Sequence, residues 1–274
     1  ISNGKWIWWS RGIGGRSALD YLIKVKGYSF LEAVETIIGH TAIQAPVYEK
    51  PQAKEENKPL LLPEKCVSNR VITEYLFGRG IDFEIINYCI SNDLIFESLP
   101  YHNVVFVGYD EKKEPKYAAY RSTNKRRIMG DCSGSKKDYS FRLGKENLEE
   151  VHLFECAIDL LSYATLAKLN GQDWKEMSFV SLSGVYSPAK KIEDSKVSIA
   201  LEKYLGSNPS VRKIRIHFDN DIAGRKAAQT LKTILPDKYE IVDEPPKAGK
   251  DFNDFLCMRM GIYNKKTHER NEER

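Results

Sequence analysis

The chain has 274 residues, of which 42% are hydrophobic and 29% are charged, and its formal net charge is +4 at pH 7. This length allows two compact domains or one large domain, and the composition is that of an ordinary globular protein. A net charge this small does not by itself predict nucleic-acid binding. No apolar run approaches the roughly 20 residues that a transmembrane helix needs, so no association with a membrane is expected.

Five cysteines are scattered along the chain, at positions 66, 89, 132, 156 and 257. Their number is odd and none of them forms a C-x-x-C pair, which favours free thiols over a disulfide framework. The sequence does not open with the basic, apolar and small-residue pattern of a signal peptide. We therefore expect a cytoplasmic protein.

Residues 1–43 are predicted to form a small unit with a glycine-rich turn and two helices, over 17–26 and 29–39. Ser17 and Ser29 are the predicted N-caps, because each is followed three residues later by an acidic residue, as in a capping box. These signals fix where the two helices should begin.

The remaining chain divides by composition. Residues 44–63 carry four prolines and many charges, which predicts a linker. Residues 64–147 mix helical patterns with a β-meander and are predicted to be an α+β domain, whereas residues 148–260 alternate strand and helix as an α/β domain does. Charged and polar residues dominate 261–274, which is predicted to be a disordered tail.

Two aspartates follow the strand predicted over 214–218, in the pattern Asp219-x-Asp221-x-Ala-Gly. A short apolar-rich run predicts a buried strand, and the end of such a strand is where α/β sheets place their ligand sites. Paired carboxylates suit Mg²⁺, which prefers oxygen ligands and keeps several waters. The alternative is that the two acids only form a turn and cap the next helix.

Two further strand-to-helix transitions carry acidic residues. Glu155 ends the strand predicted over 151–155, and Asp159 lies on the first turn of the following helix. Transitions about 30 to 60 residues apart are typical of successive βα units, so we expect these acids to meet at one sheet edge and to hold a divalent ion. The third transition carries a cluster of five chemistry-bearing residues: Gly249, Lys250, Asp251, Asn253 and Asp254.

These motifs resemble those of the Toprim domain, which is shared by bacterial primases, topoisomerases and some nucleases. The resemblance covers residues 150–257 and implies an α/β fold of Rossmann-like type, with a mainly parallel sheet flanked by helices. Cys156 departs from the family, in which most members carry glycine after the glutamate. The motifs that carry the resemblance are Glu155-x-x-x-Asp159-x-Leu161-Ser162, Asp219-x-Asp221-x-Ala223-Gly224 and Gly249-Lys250-Asp251-x-Asn253-Asp254.

The resemblance also implies roles for individual residues. One or two Mg²⁺ ions, for which Mn²⁺ can substitute, would bind the carboxylates and orient nucleotide phosphates. The implied catalytic residues are Glu155, Asp219 and Asp221. The implied metal ligands are these three together with Asp251. The implied supporting residues are Asp159, Lys250, Asn253 and Asp254.

The preceding segments extend the resemblance to primases. Residues 1–43 resemble the C-terminal half of the zinc-binding domain of bacterial primases, but Trp8 and Arg11 stand near the places of its cysteine pair. No Cys or His precedes His40, so no zinc is expected in this segment. Residues 64–147 resemble the domain that precedes Toprim in primase-like proteins of plasmids and conjugative elements.

A basic segment within 64–147 is the predicted nucleic-acid site. Lysines on a Gly/Ser-rich loop can present ammonium groups and backbone N–H donors to phosphates, and nearby Tyr120 and Tyr139 could stack on bases. The alternative is a solvated basic hairpin that binds nothing. The predicted phosphate-binding residues are Arg121, Lys125, Arg126, Arg127, Ser135, Lys136 and Lys137.

Together these features predict a DNA primase-like nucleotidyltransferase for replication or transfer of a mobile element. Its ligands would be single-stranded DNA and nucleotides, with a helicase or a relaxase as its partner. A Toprim metal-dependent nuclease needs the same acids and is one alternative. A non-catalytic nucleic-acid-binding module, which lacks zinc ligands in its first segment, is the other.

Overall fold

A computed structural model describes most of the chain, namely residues 5–11, 13–40, 58–125, 127–184, 192 and 195–262. Most of the predicted linker, most of the predicted tail and Arg126 lie outside these residues. The chain divides into two compact units, residues 1–56 and 57–274. No helix in the described ranges is long and apolar enough to cross a membrane.

The first unit is a two-stranded antiparallel hairpin followed by two helices. The helices predicted over 17–26 and 29–39 are confirmed, although α1 ends earlier than predicted. Its elements are β1 (Trp6–Trp8), β2 (Ile13–Gly15), α1 (Ala18–Lys24) and α2 (Phe30–His40).

Both predicted N-caps of the first unit are confirmed. Ser17 Oγ accepts a hydrogen bond from the backbone N–H of Asp20 at 3.2 Å. Ser29 and Glu32 exchange bonds as a capping box: Ser29 Oγ accepts from Glu32 N at 3.3 Å, and Glu32 Oε2 accepts from Ser29 N at 2.8 Å. Each cap satisfies backbone donors that a helix start leaves unpaired.

The second unit begins with two helices and an antiparallel sheet in the spatial order β3-β4-β5-β6. Each strand of this sheet pairs with the next along the chain, as in the predicted meander. The elements are α3 (Arg70–Phe77), α4 (Phe83–Ser91), β3 (Ile95–Glu97), β4 (Val104–Tyr109), β5 (Pro115–Arg121) and β6 (Met129–Asp131).

A five-stranded sheet with four flanking helices follows, in the order β11-β10-β8-β9-β7. Strands β8 to β11 run parallel to their neighbours, and β7 runs antiparallel to β9 at the edge. The predicted α/β class with a mainly parallel sheet is confirmed. The elements are β7 (Arg142–Gly144), β8 (Glu150–Phe154), α5 (Ala157–Leu169), β9 (Ser178–Ser181), α6 (Ile199–Ser207), β10 (Lys213–Ile216), α7 (Ile222–Ile234), β11 (Glu240–Asp243) and α8 (Phe252–Arg259).

Two hydrophobic clusters cover the two faces of this sheet. Because side chains alternate along a strand, Val151 and Leu153 of β8 join one cluster with α6 and α7, and Phe154 joins the other. The cluster around Phe154 contains residues of α5 and α8 together with residues of α3 and α4. The helices that precede the antiparallel sheet and those of the α/β part therefore share one core. The domain boundaries drawn from the sequence stay predictions.

We predict that Gly144→Ala destabilises the protein by about 1–3 kcal/mol. Gly144 has φ +83°, and a Cβ there would lie 2.0 Å from the carbonyl oxygen of Met177. Gly206 of α6 is the matched control, because a Cβ there meets no atom within 4 Å. Gly206→Ala should raise stability by up to about 1 kcal/mol, as expected for alanine in a helix. Chemical denaturation measures both; equal effects of the two substitutions would contradict the prediction.

Candidate metal centre

The predicted acidic residues meet where the strand order of the five-stranded sheet reverses. β8 is followed along the chain by β9 on one side, and β10 then pairs with its other side, with Leu153 opposite Ile216. In open α/β sheets, ligands bind beyond the carboxyl ends of the strands at this reversal. Glu155 directly follows β8 and Asp219 lies three residues after β10, so both lie at that position.

A hydrogen bond joins the backbone of Asp219 to the side chain of Glu155. The N–H of Asp219 donates to Glu155 Oε1 at 3.0 Å. Gly224 lies against both, since a Cβ there would be 2.2 Å from the carbonyl oxygen of Asp219 and 2.8 Å from Glu155 Oε1. The glycine of the motif is therefore required for close approach of α7. Cys156 adopts φ −137°, extended backbone open to any residue, so its departure from the family glycine does not disturb Glu155.

Asp221 both caps a helix and faces the site. Its Oδ1 accepts from the N–H of Gly224 at 2.9 Å, as the N-cap of α7. Its Oδ2 lies 3.2 Å from Lys250 Nζ, and Asp219 Oδ2 lies 3.1 Å from the same nitrogen. Asp221 therefore caps α7, as the alternative interpretation of the D-x-D pattern expected, and its second oxygen pairs with Lys250. A metal site at this pattern stays a prediction.

Asp159 is buried and connects two helices. Its Oδ1 accepts from the backbone N–H of Asn253 at 3.1 Å, and its Oδ2 accepts from Cys156 Sγ at 2.9 Å. Asn253 Nδ2 in turn donates to Ser162 Oγ and to the carbonyl oxygen of Arg79, each at 3.0 Å. Asp159 and Asn253 therefore hold α5 and α8 together beneath the site.

Arg79 is a residue that the sequence analysis missed. Its guanidinium donates to Asn253 Oδ1, and its carbonyl oxygen accepts from Asn253 Nδ2. The two residues are 174 positions apart, and no local pattern marks such a contact. Only the fold, which places the turn after α3 against α8, reveals it.

Asp251 and Asp254 form the turn that leads into α8. Asp251 is the N-cap, and its Oδ1 accepts from Asp254 N at 2.7 Å. Asp254 Oδ2 accepts from Lys250 N at 3.3 Å. These bonds hold the backbone on both sides of Asp251 and place its half-buried carboxylate at the same edge as Asp219.

The electrostatics of the site favour bound positive charge. Burial, and then the neighbouring Asp219, raise the pKa of Glu155 from its usual 4.5 to about 7. Burial likewise raises the pKa of Asp159, Asp219 and Asp251. The pKa of Asp221 is lowered because its carboxylate accepts from the N–H of Gly224. Crowded carboxylates with raised pKa values are stabilised in the ionised form by a nearby cation.

Lys250 supplies such a cation. Its ammonium group lies between Asp219 and Asp221, and hydrogen bonding to Asp219 raises its pKa. In the part of the chain that the structure describes, no three of these carboxylates bring an oxygen each to within 4.8 Å of one another. Metal binding by these carboxylates stays a prediction.

A cavity of about 560 Å³ connects this acidic edge to part of the predicted basic segment. Glu155, Asp219 and Asp251 are among the residues that line it, together with basic and aromatic residues. The lining residues from the segment before 148 include Tyr117, Tyr120, Arg121, Arg127 and Lys137. Acids and bases from distant parts of the chain thus face the same space.

The other predicted phosphate-binding residues are placed differently. Ser135 Oγ donates to the carbonyl oxygen of Ala118 at 3.0 Å and accepts from its N–H at 3.1 Å, so it holds the loop against β5 and does not line the cavity. Lys125 and Lys136 are exposed outside the cavity lining. Arg126 lies outside the described residues. Phosphate binding by the whole set stays a prediction.

Two families match the second unit. Residues 74–147 match a family described as a protein of unknown function (DUF3991), and residues 152–256 match a family described as Toprim-like. The second match spans the strand ends that carry Glu155 and Asp219. No curated protein matches the sequence.

Parts of the structure align with solved primase structures. The primase fragment of the bacteriophage T7 primase-helicase protein is 19% identical, with a TM-score of 0.46 over 70% of this chain and 72% of that chain. The Aquifex aeolicus primase, with its zinc-binding and RNA polymerase domains, is 15% identical, with a TM-score of 0.44 over 95% and 71%. The RNA polymerase domain of the Mycobacterium tuberculosis primase is 12% identical, with a TM-score of 0.45 over 70% and 73%.

The raised pKa of Glu155 generates a pH prediction. From 4.5 to about 7 the folded chain holds a proton on Glu155 that the unfolded chain has lost, so ionisation of this buried group costs more stability as pH rises. Glu155→Gln should therefore stabilise the metal-free protein more at about pH 8 than at about pH 6. Thermal unfolding in a chelator measures the difference between variant and wild type.

Glu202, on the exposed side of α6, provides the control for this comparison. Glu202→Gln should change stability by the same small amount at both pH values. If the effect of Glu155→Gln is also the same at both, the buried glutamate does not ionise in this range and the prediction is wrong.

Proposed function

Since residues 152–256 are a Toprim-like domain, we propose that this protein is a primase-type nucleotidyltransferase acting on single-stranded DNA. The observation that supports the proposal best is the single cavity shared by the acidic edge and the basic and aromatic side chains of the preceding segment. A nucleotidyltransferase needs acidic residues for a metal ion and basic and aromatic residues for a template strand, close enough to share one nucleoside triphosphate.

Toprim-like domains generally depend on divalent metal ions, and the residues present fit Mg²⁺. Asp219 and Asp221 already hold a cation between them, namely the ammonium of Lys250. We expect these two aspartates, with Glu155 and Asp251 beside them, to hold Mg²⁺, for which Mn²⁺ can substitute. The ion would neutralise phosphate charge in an in-line displacement at the α-phosphate.

Lys250 has a second task in this proposal. Its side chain is 57% exposed, so it can turn away from the aspartates when a divalent cation takes its position. The released ammonium group then faces the cavity, where it would bind the phosphates of the incoming nucleotide. The Asp251 and Asp254 turn holds the backbone of Lys250 in place while its side chain moves.

Glu155 is suited to hold and move a proton. Without a metal ion, burial raises the pKa of Glu155 to about 7, and a carboxyl group whose pKa lies near neutral pH can both give and accept a proton. The proton in question is that of the attacking 3′-hydroxyl. The N–H of Asp219 donates a hydrogen bond to Glu155 Oε1 and so fixes the position of that oxygen.

The basic and aromatic residues that line the cavity would bind the nucleic acid. Arg121, Arg127 and Lys137 offer cations for backbone phosphates, and Tyr120 offers a half-buried ring on which a base can stack. A role in replication or transfer of a mobile element, with a helicase or relaxase as partner, belongs to the same proposal.

We predict template-dependent incorporation of ribonucleotides on single-stranded DNA with Mg²⁺ or Mn²⁺. Asp219→Asn should lower the rate about 100-fold or more, because the ion supplies several kcal/mol of charge stabilisation. Asp237→Asn, an exposed change outside the cavity, is the control and should keep full activity. Labelled products and the integrity of the template are followed in the same reactions.

The outcomes separate the candidate functions. Products that are lost in Asp219→Asn and kept in Asp237→Asn support the primase activity and the acidic site together. Metal-dependent cutting of the template without synthesis would replace the proposal with a nuclease. Binding of single-stranded DNA without synthesis or cutting would replace it with a non-catalytic binding module.

A second prediction concerns the basic side of the cavity. Arg127→Ala combined with Lys137→Ala should weaken binding of single-stranded DNA. The slope of log affinity against log salt should become shallower by about 1 to 2, because fewer phosphate contacts form and fewer counterions are released. Lys112→Ala combined with Lys113→Ala removes the same charge, and neither residue lines this cavity. Fluorescence anisotropy at several salt concentrations measures both, and equal slopes for the two pairs would exclude the basic side as the DNA site.

A further inference from the structure

The second unit contains another cluster of metal-ligating side chains, at the end of β3. Within the described residues, Cys66, Glu97 and His102 are the one set of three His, Cys, Asp or Glu side chains whose ligand atoms all lie within 4.8 Å of one another. Cys66 is 31 and His102 is 5 residues from Glu97 in sequence. None of the three lines the cavity of the acidic edge.

Glu97 is buried and its carboxylate is already oriented. The residue is 1% exposed, and its Oε2 accepts from the backbone N–H groups of Val71 at 2.9 Å and Ile72 at 3.2 Å, at the start of α3. Its Oε1 is turned toward His102 Nδ1 at 2.6 Å. One oxygen is thus held by backbone donors and the other faces the cluster, an arrangement typical of carboxylate ligands supported by outer hydrogen bonds.

The backbone brings Cys66 and His102 to Glu97 from two sides. The N–H of Cys66 donates to the carbonyl oxygen of Glu97 at 2.7 Å, beside an isolated antiparallel bridge between Lys65 and Ser98. His102 donates its N–H to the carbonyl oxygen of Ser98 at 2.8 Å. These bonds fix the three segments against one another before any ligand binds.

We propose that Cys66, Glu97 and His102 bind a zinc ion. Thiolate, imidazole and carboxylate are the ligands that Zn²⁺ uses in proteins, and three protein ligands leave a fourth position for water. The side chain of His102 is 45% exposed, so water can reach that position. A thiolate makes Mg²⁺ or Ca²⁺ a poor match for this cluster.

The charges and protons of the site balance. Zn²⁺ displaces the thiol proton of Cys66 to solvent, and His102 binds through an unprotonated Nδ1 with its remaining proton on Nε2. The two charges of the ion are then matched by the thiolate of Cys66 and the carboxylate of Glu97. Because the charges cancel, the cluster can include the buried carboxylate of Glu97 without leaving an unpaired buried charge.

The bound ion would join three parts of the chain: the segment that leads into α3, the end of β3, and the turn before β4. Holding ends that are 31 and 36 residues apart removes conformational freedom from the unfolded chain. The ion would therefore restrain these three segments, and this proposal does not depend on the proposed primase activity.

The test is a titration of the reduced, metal-free 274-residue protein with Co²⁺, a spectroscopic substitute for zinc. We expect one equivalent to give thiolate-to-cobalt charge-transfer absorption, which Zn²⁺ then abolishes by displacement. Cys66→Ser should remove this absorption, and His102→Gln should weaken cobalt binding by at least about tenfold. Cobalt bound by the oxygen ligands of the acidic edge gives no thiolate band.

Cys156 provides the matched control, because it is the cysteine next to Glu155 and hydrogen-bonds to Asp159. Cys156→Ser should leave the charge-transfer band unchanged. The proposal is overturned if wild type shows no thiolate band, if the band survives in Cys66→Ser, or if it disappears in Cys156→Ser. Should Cys66→Ser fail to fold, the wild-type band and its weakening in His102→Gln decide the matter.

Discussion

The parallel pairing of β8 with β10 is the constraint on which the candidate site depends. It sets the ends of two strands that are far apart in sequence side by side, and it creates a gap between the connections that leave in opposite directions. Glu155 and Asp219 lie in that gap and are joined through the N–H of Asp219. Gly224 then allows α7 to begin directly against them. A shift of the pairing by one residue would move Glu155 away from the N–H of Asp219.

Charge is the second organising factor. Buried carboxylates repel one another, and the fold relieves this repulsion with Lys250, with helix N-termini and with backbone N–H groups. These contacts offset the repulsion without a divalent ion. Arg121, Arg127 and Lys137 line the same cavity as the acidic edge.

Local features of this fold could be predicted from the sequence, because they depend on a few consecutive residues. The caps at Ser17 and Ser29 and the strand ends before Glu155 and Asp219 are of this kind. Each follows from periodicity or from capping chemistry within a few residues.

Features that depend on distant contacts could not be predicted in the same way. Arg225, for example, donates to the carbonyl oxygens of Phe218 and Asp219 and to the carboxylate of Asp243. Ser135 was predicted to bind phosphate, yet its hydroxyl forms hydrogen bonds with the backbone N–H and carbonyl oxygen of Ala118. Such partners are chosen by strand order and by the packing of helices, which leave no signature in a window of neighbouring residues.

The core that α3 and α4 share with α5 and α8 has an evolutionary consequence. Although two families match the two halves, Arg79 in one half is bonded to Asn253 in the other, and apolar side chains from both fill one cluster. Neither of the two matched regions, 74–147 and 152–256, can therefore be exchanged independently of the other. Recombination that brings in a new Toprim-like half must also bring surfaces that fit the resident helices, so the two halves are expected to be inherited together.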